Sequence, residues 1–169
     1  MRIFVVGTGR CGTVTFSKAA AHATNYTVGH ESHAGRIGDW RYPDNHIEVS
    51  AQLVFAIPLL KRRYPAAFFI HLQRTNRDAC VQSLARMNHV MRAFSLVFFQ
   101  QQNPNPITVA GAIYDTFNPL CAACCDYRLD LETIMHDWRD CWYHMGCEGD
   151  FDASLAEWDV RYNASEAVT

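Results

Sequence analysis

The chain has 169 residues, 49% of them apolar and 19% charged, with a formal net charge of −2. That is enough chain for one domain, residues 1–169, with a full core, and the composition is that of an ordinary globular protein rather than a disordered one. A near-neutral balance without a basic run argues against a nucleic-acid or anionic-membrane binder, and no apolar stretch is long enough to span a bilayer.

The chain enters a strand at residues 3–6 without an apolar leader, so its seven cysteines read as reduced thiols of a cytoplasmic protein. Residues 13–23 carry Phe16, Ala19, Ala20 and Ala23 at helical spacing. The stretch NYTVGHE (25–31) predicts a short strand. Residues 32–46, with Gly35, Gly38, Pro43, Asp44 and Asn45, predict a loop. Residues 48–65 predict a helix kinked at Pro58 and ended by Pro65, with Lys61, Arg62 and Arg63 complementing the dipole of its last turn. AFFIHLQ (67–73) is apolar on both faces, as a buried parallel strand is. Asn76 is placed to cap a helix over 77–88, and residues 90–100 read as helical up to a break at 100–106. A helix over 107–124 carries Pro119 as a point of interruption. DYRLDLE (126–132) alternates like a strand, 133–145 predicts a helix, and 152–162 a weaker one. Strands alternating with helices predict an α/β fold with a mostly parallel sheet, whose ligands sit at the C-terminal strand ends.

The stretch GTGRCGTVTF (7–16) joins the first strand to the first helix. Gly7, Gly9 and Gly12 satisfy the dinucleotide pattern G-x-G-x-x-G, and Glu31 lies 19 residues past Gly12, about where a ribose-binding acid belongs. A small NAD(P)-binding protein is therefore one reading, although the chain is short for a second, substrate-binding domain. Gly7 and Gly12 also fit the phosphate loop G-x-x-x-x-G-K-[ST], but Thr13 replaces its lysine and Val14 its metal-binding hydroxyl. A triphosphate needs both to neutralise its clustered charge, so ATP or GTP hydrolysis is disfavoured. A sulfuryl group carries less charge. Its transfer asks for a backbone anion cradle, a cation at the leaving phosphate and hydroxyls at the helix start, without a metal.

These residues resemble the sulfotransferases that use 3′-phosphoadenosine 5′-phosphosulfate (PAPS), whose 5′-phosphosulfate loop reads roughly [KR]-[SGC]-G-[ST]-[ST]. Arg10, Cys11, Gly12 and Thr13 fall on the first four positions; Val14 departs from the last, and Thr15 stands in for it. Such enzymes hold the 3′-phosphate with an arginine at a strand end and a serine in the next helix. FFIHLQRTNRDACVQSL (68–84) supplies Arg74 and Ser83 in that layout, with Arg77 a second arginine nearby. The resemblance implies a three-layer α/β/α, P-loop NTPase-like fold. It also implies PAPS as donor, bound by residues Gly9, Arg10, Cys11, Gly12, Thr13, Val14, Thr15, Arg74 and Ser83, with no metal. The acceptor is a small molecule or a glycan carrying a hydroxyl or amine.

The acceptor's base is either Glu48, in IEVSAQL (47–53), which is similar to the family segment E-K-S-[AP], or Glu31, in GHESHAGRIGDW (29–40); His30 and His33 follow them. Arg10 is the electrostatic member of the catalytic set, because a guanidinium keeps its proton. A non-catalytic nucleotide-binding module of the same fold is the reading from another class. His71, inside a buried strand, reads as a hydrogen-bonded core group. CAACC (121–125), with Cys141, Cys147, His136 and His144, matches no common zinc spacing and reads as small core hydrophobes.

Overall fold

The computed structural model describes residues 1–33, 40–100, 105–160 and 162, with the backbone alone at residue 98. Among these residues five parallel strands form one sheet in the order β2-β3-β1-β4-β5. They are β1 (Arg2–Val6), β2 (Thr27–His30), β3 (His46–Val49), β4 (Phe68–Gln73) and β5 (Tyr127–Asp130). Helix α1 (Thr13–Ala20) carries the chain from β1 out to β2, and α2 (Ile57–Arg63) carries it from β3 across to β4. Helices α3 (Arg77–Ala85), α4 (Asn88–Phe94) and α5 (Pro106–Cys124) precede β5; α6 (Ile134–His144) and α7 (Phe151–Ala156) follow it.

The central strand shows why the layers form. Ile3 and Val5 face one side and Phe4 and Val6 the other, and none of the four is accessible to solvent. A strand apolar on both faces must be covered twice. On the first side Ile3, Val5, Ile70 and Leu72 pack with Phe16 of α1 and Trp138 of α6. The Trp138 ring meets Phe16 edge-on at 5.1 Å. Its indole N–H donates to Ser154 Oγ (3.0 Å), which donates to the Ala19 carbonyl (2.8 Å), so α7 is tied to α6 and α1. On the second side Phe4, Val6 and Phe69 pack with Leu60 of α2, Leu84 of α3, Met91 of α4 and Phe117 of α5. The result is three layers, α/β/α. No helix among the described residues is long and apolar enough to cross a membrane.

Several expectations need correction. The helix expected over 48–65 is three pieces: β3 ends at Val49, a 3₁₀ turn runs Ala51–Ala56, and α2 starts at Ile57. Pro58 does not kink a helix but occupies the first turn of one, where its missing N–H costs nothing. Ser50 caps the 3₁₀ turn by accepting from Gln52 N. Pro119 does not interrupt α5. Tyr114 and Asn118, on the preceding turn, are tied to the Arg74 carbonyl (2.8 Å) and to His71 (3.1 Å), and these contacts hold the helix through its missing hydrogen bond. Residues 90–100 divide into α4 and a wider, π-helical turn, Ser95–Phe99, that begins on the buried Ser95. The late helix is α7 followed by a 3₁₀ turn, Glu157–Asp159. Parts of the loop expected over 32–46 and of the break at 100–106 lie outside the described residues.

Candidate functional site

A cleft of about 1400 Å³ opens at the C-terminal ends of the strands. From the neighbouring C-terminal ends of β1 and β4 the chain goes on in opposite directions along the sheet, to β2 and to β5, so this is a topological switch point, where parallel sheets bind ligands. The glycine loop forms the floor. A Cβ at Gly7 would run into the Leu72 carbonyl of the neighbouring β4, so glycine alone lets the loop leave so close to that strand. Gly9, Arg10 and Gly12 have φ of 80°, 55° and 94°. The left-handed turn is free for the glycines but strained for Arg10, a cost that tends to be kept where a side chain must reach a site. Gly12 opens α1, whose first turn has neither a capping side chain nor an acid, whereas Asn76 caps α3 through Ala79 N (3.0 Å). Unclaimed first-turn N–H groups favour an anion. Leu131 and Trp158 back the loop, 3.0 and 3.5 Å from where a Gly12 Cβ would lie.

Gly9, Arg10, Gly12, Thr13, Val14, Thr15, Arg74 and Ser83 all line the cleft. Cys11 does not: its side chain turns into the core, and burial, then the neighbouring Cys80, push its thiol up to about 12. A thiol held neutral is no nucleophile, so Cys11 contributes its small size and backbone. The groups expected at two separate phosphates meet directly, with Arg10 Nε donating to Ser83 Oγ at 3.0 Å. Arg74 leaves the end of β4 on a turn braced from below by Glu132. That carboxylate accepts from Thr75 N (2.8 Å), Thr75 Oγ1 (2.8 Å) and Asn76 N (3.1 Å). Burial alone would raise the Glu132 pKa, but these donors together bring it below the ordinary glutamate value. Arg77 is not on the cleft wall; it forms a fork with Asp115 of α5 at 2.8 and 2.7 Å.

The two candidate acids separate. Glu48 does not begin a helix and does not line the cleft. It lies in β3 with 0% exposure, accepting from Ser32 N (2.8 Å) and paired with His46 Nε2 (3.1 Å). His46 Nδ1 in turn meets Thr27 Oγ1 at 2.8 Å. A Cβ at Gly29 would collide with the Glu48 carboxylate, so that glycine makes room for the pair. Burial works to raise the Glu48 pKa, and the His46 and Ser32 contacts outweigh it and lower it. Glu31, by contrast, lines the cleft at the end of β2, on a left-handed backbone with φ 51°. Among the described residues it is the one acid there, facing a wall that includes Arg10, Arg74, Arg86, His30, His33 and His89. His33 Nδ1 is buried and has no hydrogen-bond partner among the described residues, its ring edge-on to Tyr42 at 5.0 Å.

His71 is the core group its strand suggested, bonded to Asn118 Oδ1 at 3.1 Å and made less basic by burial. The cysteines do not converge. Cys121, Cys124 and Cys125 pack on the α5 side of the sheet and Cys141 and Cys147 on the α1 side. Sequence reasoning missed the brace at Glu132 and the contributions of Arg86, His89 and Phe55 to the wall. The first stands as an acid just past a strand, a signal too common to single out; the others belong to elements that meet only in the fold. No family model and no curated protein matches the chain.

Proposed function

We propose that this chain is a PAPS-dependent sulfotransferase with a P-loop-type α/β/α fold, moving a sulfuryl group to an acceptor hydroxyl or amine. The observation that carries the reading is the convergence of the glycine loop, Arg10, Arg74 and Ser83 on one cleft at the sheet's switch point. Thr13 and Val14 replace the lysine and metal-binding hydroxyl of a triphosphate loop, which favours a donor needing neither. The residues fit that donor. The backbone of residues 9–13 with Arg10, Thr13 and Thr15 would hold its 5′-phosphate, and Arg74 and Ser83 its 3′-phosphate. When bound, the donor supplies an electrophilic sulfur on a phosphate leaving group.

The Arg10 guanidinium would stabilise charge gathering at the 5′ side. Glu31 would accept the proton of the acceptor hydroxyl, since Glu48 is committed to Ser32 and His46. The test is the release of 3′,5′-ADP from PAPS by the full chain across a panel of alcohols, phenols, sugars and amines. Glu31→Gln is expected to slow it about 10²–10⁴-fold while leaving 3′,5′-ADP binding unchanged. Normal turnover by that variant would remove Glu31 from the role. The direct Arg10–Ser83 bond favours one second reading, a non-catalytic module with a single anion site, for which 3′,5′-ADP and 5′-AMP would bind equally.

A further inference from the structure

The cleft is larger than its charged floor. At about 1400 Å³ it exceeds the roughly 300–1,000 Å³ typical of one small ligand. Its second half is built by the Ala51–Ala56 turn, α4, the Ser95–Phe99 turn and α5, and of the lining residues from these elements only Gln52 and His89 are polar. Phe55 meets Phe117 edge-on at 4.9 Å and Phe94 at 6.0 Å, giving an aromatic wall extended by Leu53, Val54 and Val90. Several apolar side chains of these elements are also exposed: Phe55 is 49% exposed, Leu96 61% and Val97 70%. Apolar surface of this kind beside a charged site marks a place for a ligand.

From this juxtaposition we infer that the acceptor is an alcohol on an apolar body, an alkyl chain or fused ring, rather than a glycan. The inference rests on the sulfuryl-transfer reading and names its acceptor class. A sugar ring brought against this wall would leave its hydroxyls without partners, a cost for every one buried. An apolar body gains from the same contact and presents its hydroxyl to the polar part of the cleft, which Glu31 and the glycine loop line. There the acceptor oxygen forms its bond to sulfur as the bond from sulfur to the donor's 5′-phosphate oxygen breaks. The electron pair leaves with the phosphate and the hydroxyl proton goes to Glu31.

The test uses product analogues on the full chain, so no turnover is needed. Decyl sulfate below its micelle-forming concentration, 2-naphthyl sulfate and galactose 6-sulfate are each titrated calorimetrically, with and without saturating 3′,5′-ADP. Binding of decyl or naphthyl sulfate about tenfold or more tighter than galactose 6-sulfate is expected; equal or tighter binding of the sugar overturns the inference. Phe55→Ser is expected to weaken the apolar sulfates about tenfold, and the more exposed Val97→Ser about threefold, with 3′,5′-ADP affinity unchanged in both. Unaltered binding of the apolar sulfates by both variants also overturns it. The two claims fail separately. Absence of 3′,5′-ADP binding removes the donor reading, whereas 3′,5′-ADP binding with preference for the sugar removes only the acceptor class.

Discussion

Arg10 holds a left-handed backbone, with φ 55°, and reaches Ser83 across the cleft. Arg74 stands at the end of the neighbouring strand on the turn that Glu132 braces. If Arg74 grips a 3′-phosphate, Arg74→Ala should weaken 3′,5′-ADP by about 1.5–3 kcal/mol, the worth of a charge-assisted contact. Its effect on 5′-AMP, read by the same calorimetry, should be small; equal losses would mean that Arg74 serves the fold or the 5′ side. Glu48 answers a different question. Its carboxyl is held below the ordinary glutamate value of 4.5 in the folded state, despite burial, by His46 and Ser32. The folded form therefore binds fewer protons than the unfolded one. Its contribution to stability is full above the ordinary glutamate range and drains as pH falls through the lowered value. Glu48→Ala should cost about 3–5 kcal/mol at neutral pH in urea unfolding, because His46 and Ser32 N lose a buried partner. The difference from wild type should shrink on acidification below pH 4.5; a constant difference would show that the carboxylate's charge contributes nothing.

At the scale of elements, the sequence was legible where one local rule decided. The apolar run of β4, the Asn76 cap on α3 and the glycine exit from β1 each follow from adjacent residues. β3 was not legible. His46 and Glu48 make a four-residue strand look half polar, and only the tertiary pairing of the two side chains lets that face be buried. The same polar residues made Glu48 look like a helix-initiating acid. Pro58 and Pro119 show the limit from the other side, since a proline's consequence depends on whether a helix begins there or is held by neighbours. The most exacting local constraint is at Gly7, where β1 hands over to the loop. Gly7→Ala places a methyl group against the Leu72 carbonyl, and because Leu72 is backbone of β4 and Gly7 directly follows β1, neither can yield cheaply. A loss of about 1–3 kcal/mol in unfolding free energy is expected, together with weaker binding of any 5′-phosphate; unchanged stability would mean the loop has room the close approach denies.

For the whole molecule, five parallel strands with helices on both faces bring all five C-terminal strand ends and residues of α1, α3, α4 and α5 around one cleft. The charged floor was readable in advance, because loop and arginine each sit on a strand-to-helix junction. The apolar half was readable only in part: the aromatic run at 94–99 reads from the sequence as core or an acceptor-pocket wall, but Phe55, Phe94 and Phe117 come from three elements spread over more than sixty residues of chain and acquire a common surface only on folding. The proposed function requires that this cleft recognise a nucleotide by two phosphates at once. The most direct measurement is calorimetric titration of the full chain with 3′,5′-ADP, 5′-AMP, ATP and NAD, in the absence of magnesium. The expected result is that 3′,5′-ADP binds at least about tenfold tighter than 5′-AMP, the minimum for one added charge-assisted contact, with ATP and NAD weaker still. Binding of NAD without binding of 3′,5′-ADP would contradict it and return the glycine loop to the dinucleotide pattern that it also satisfies.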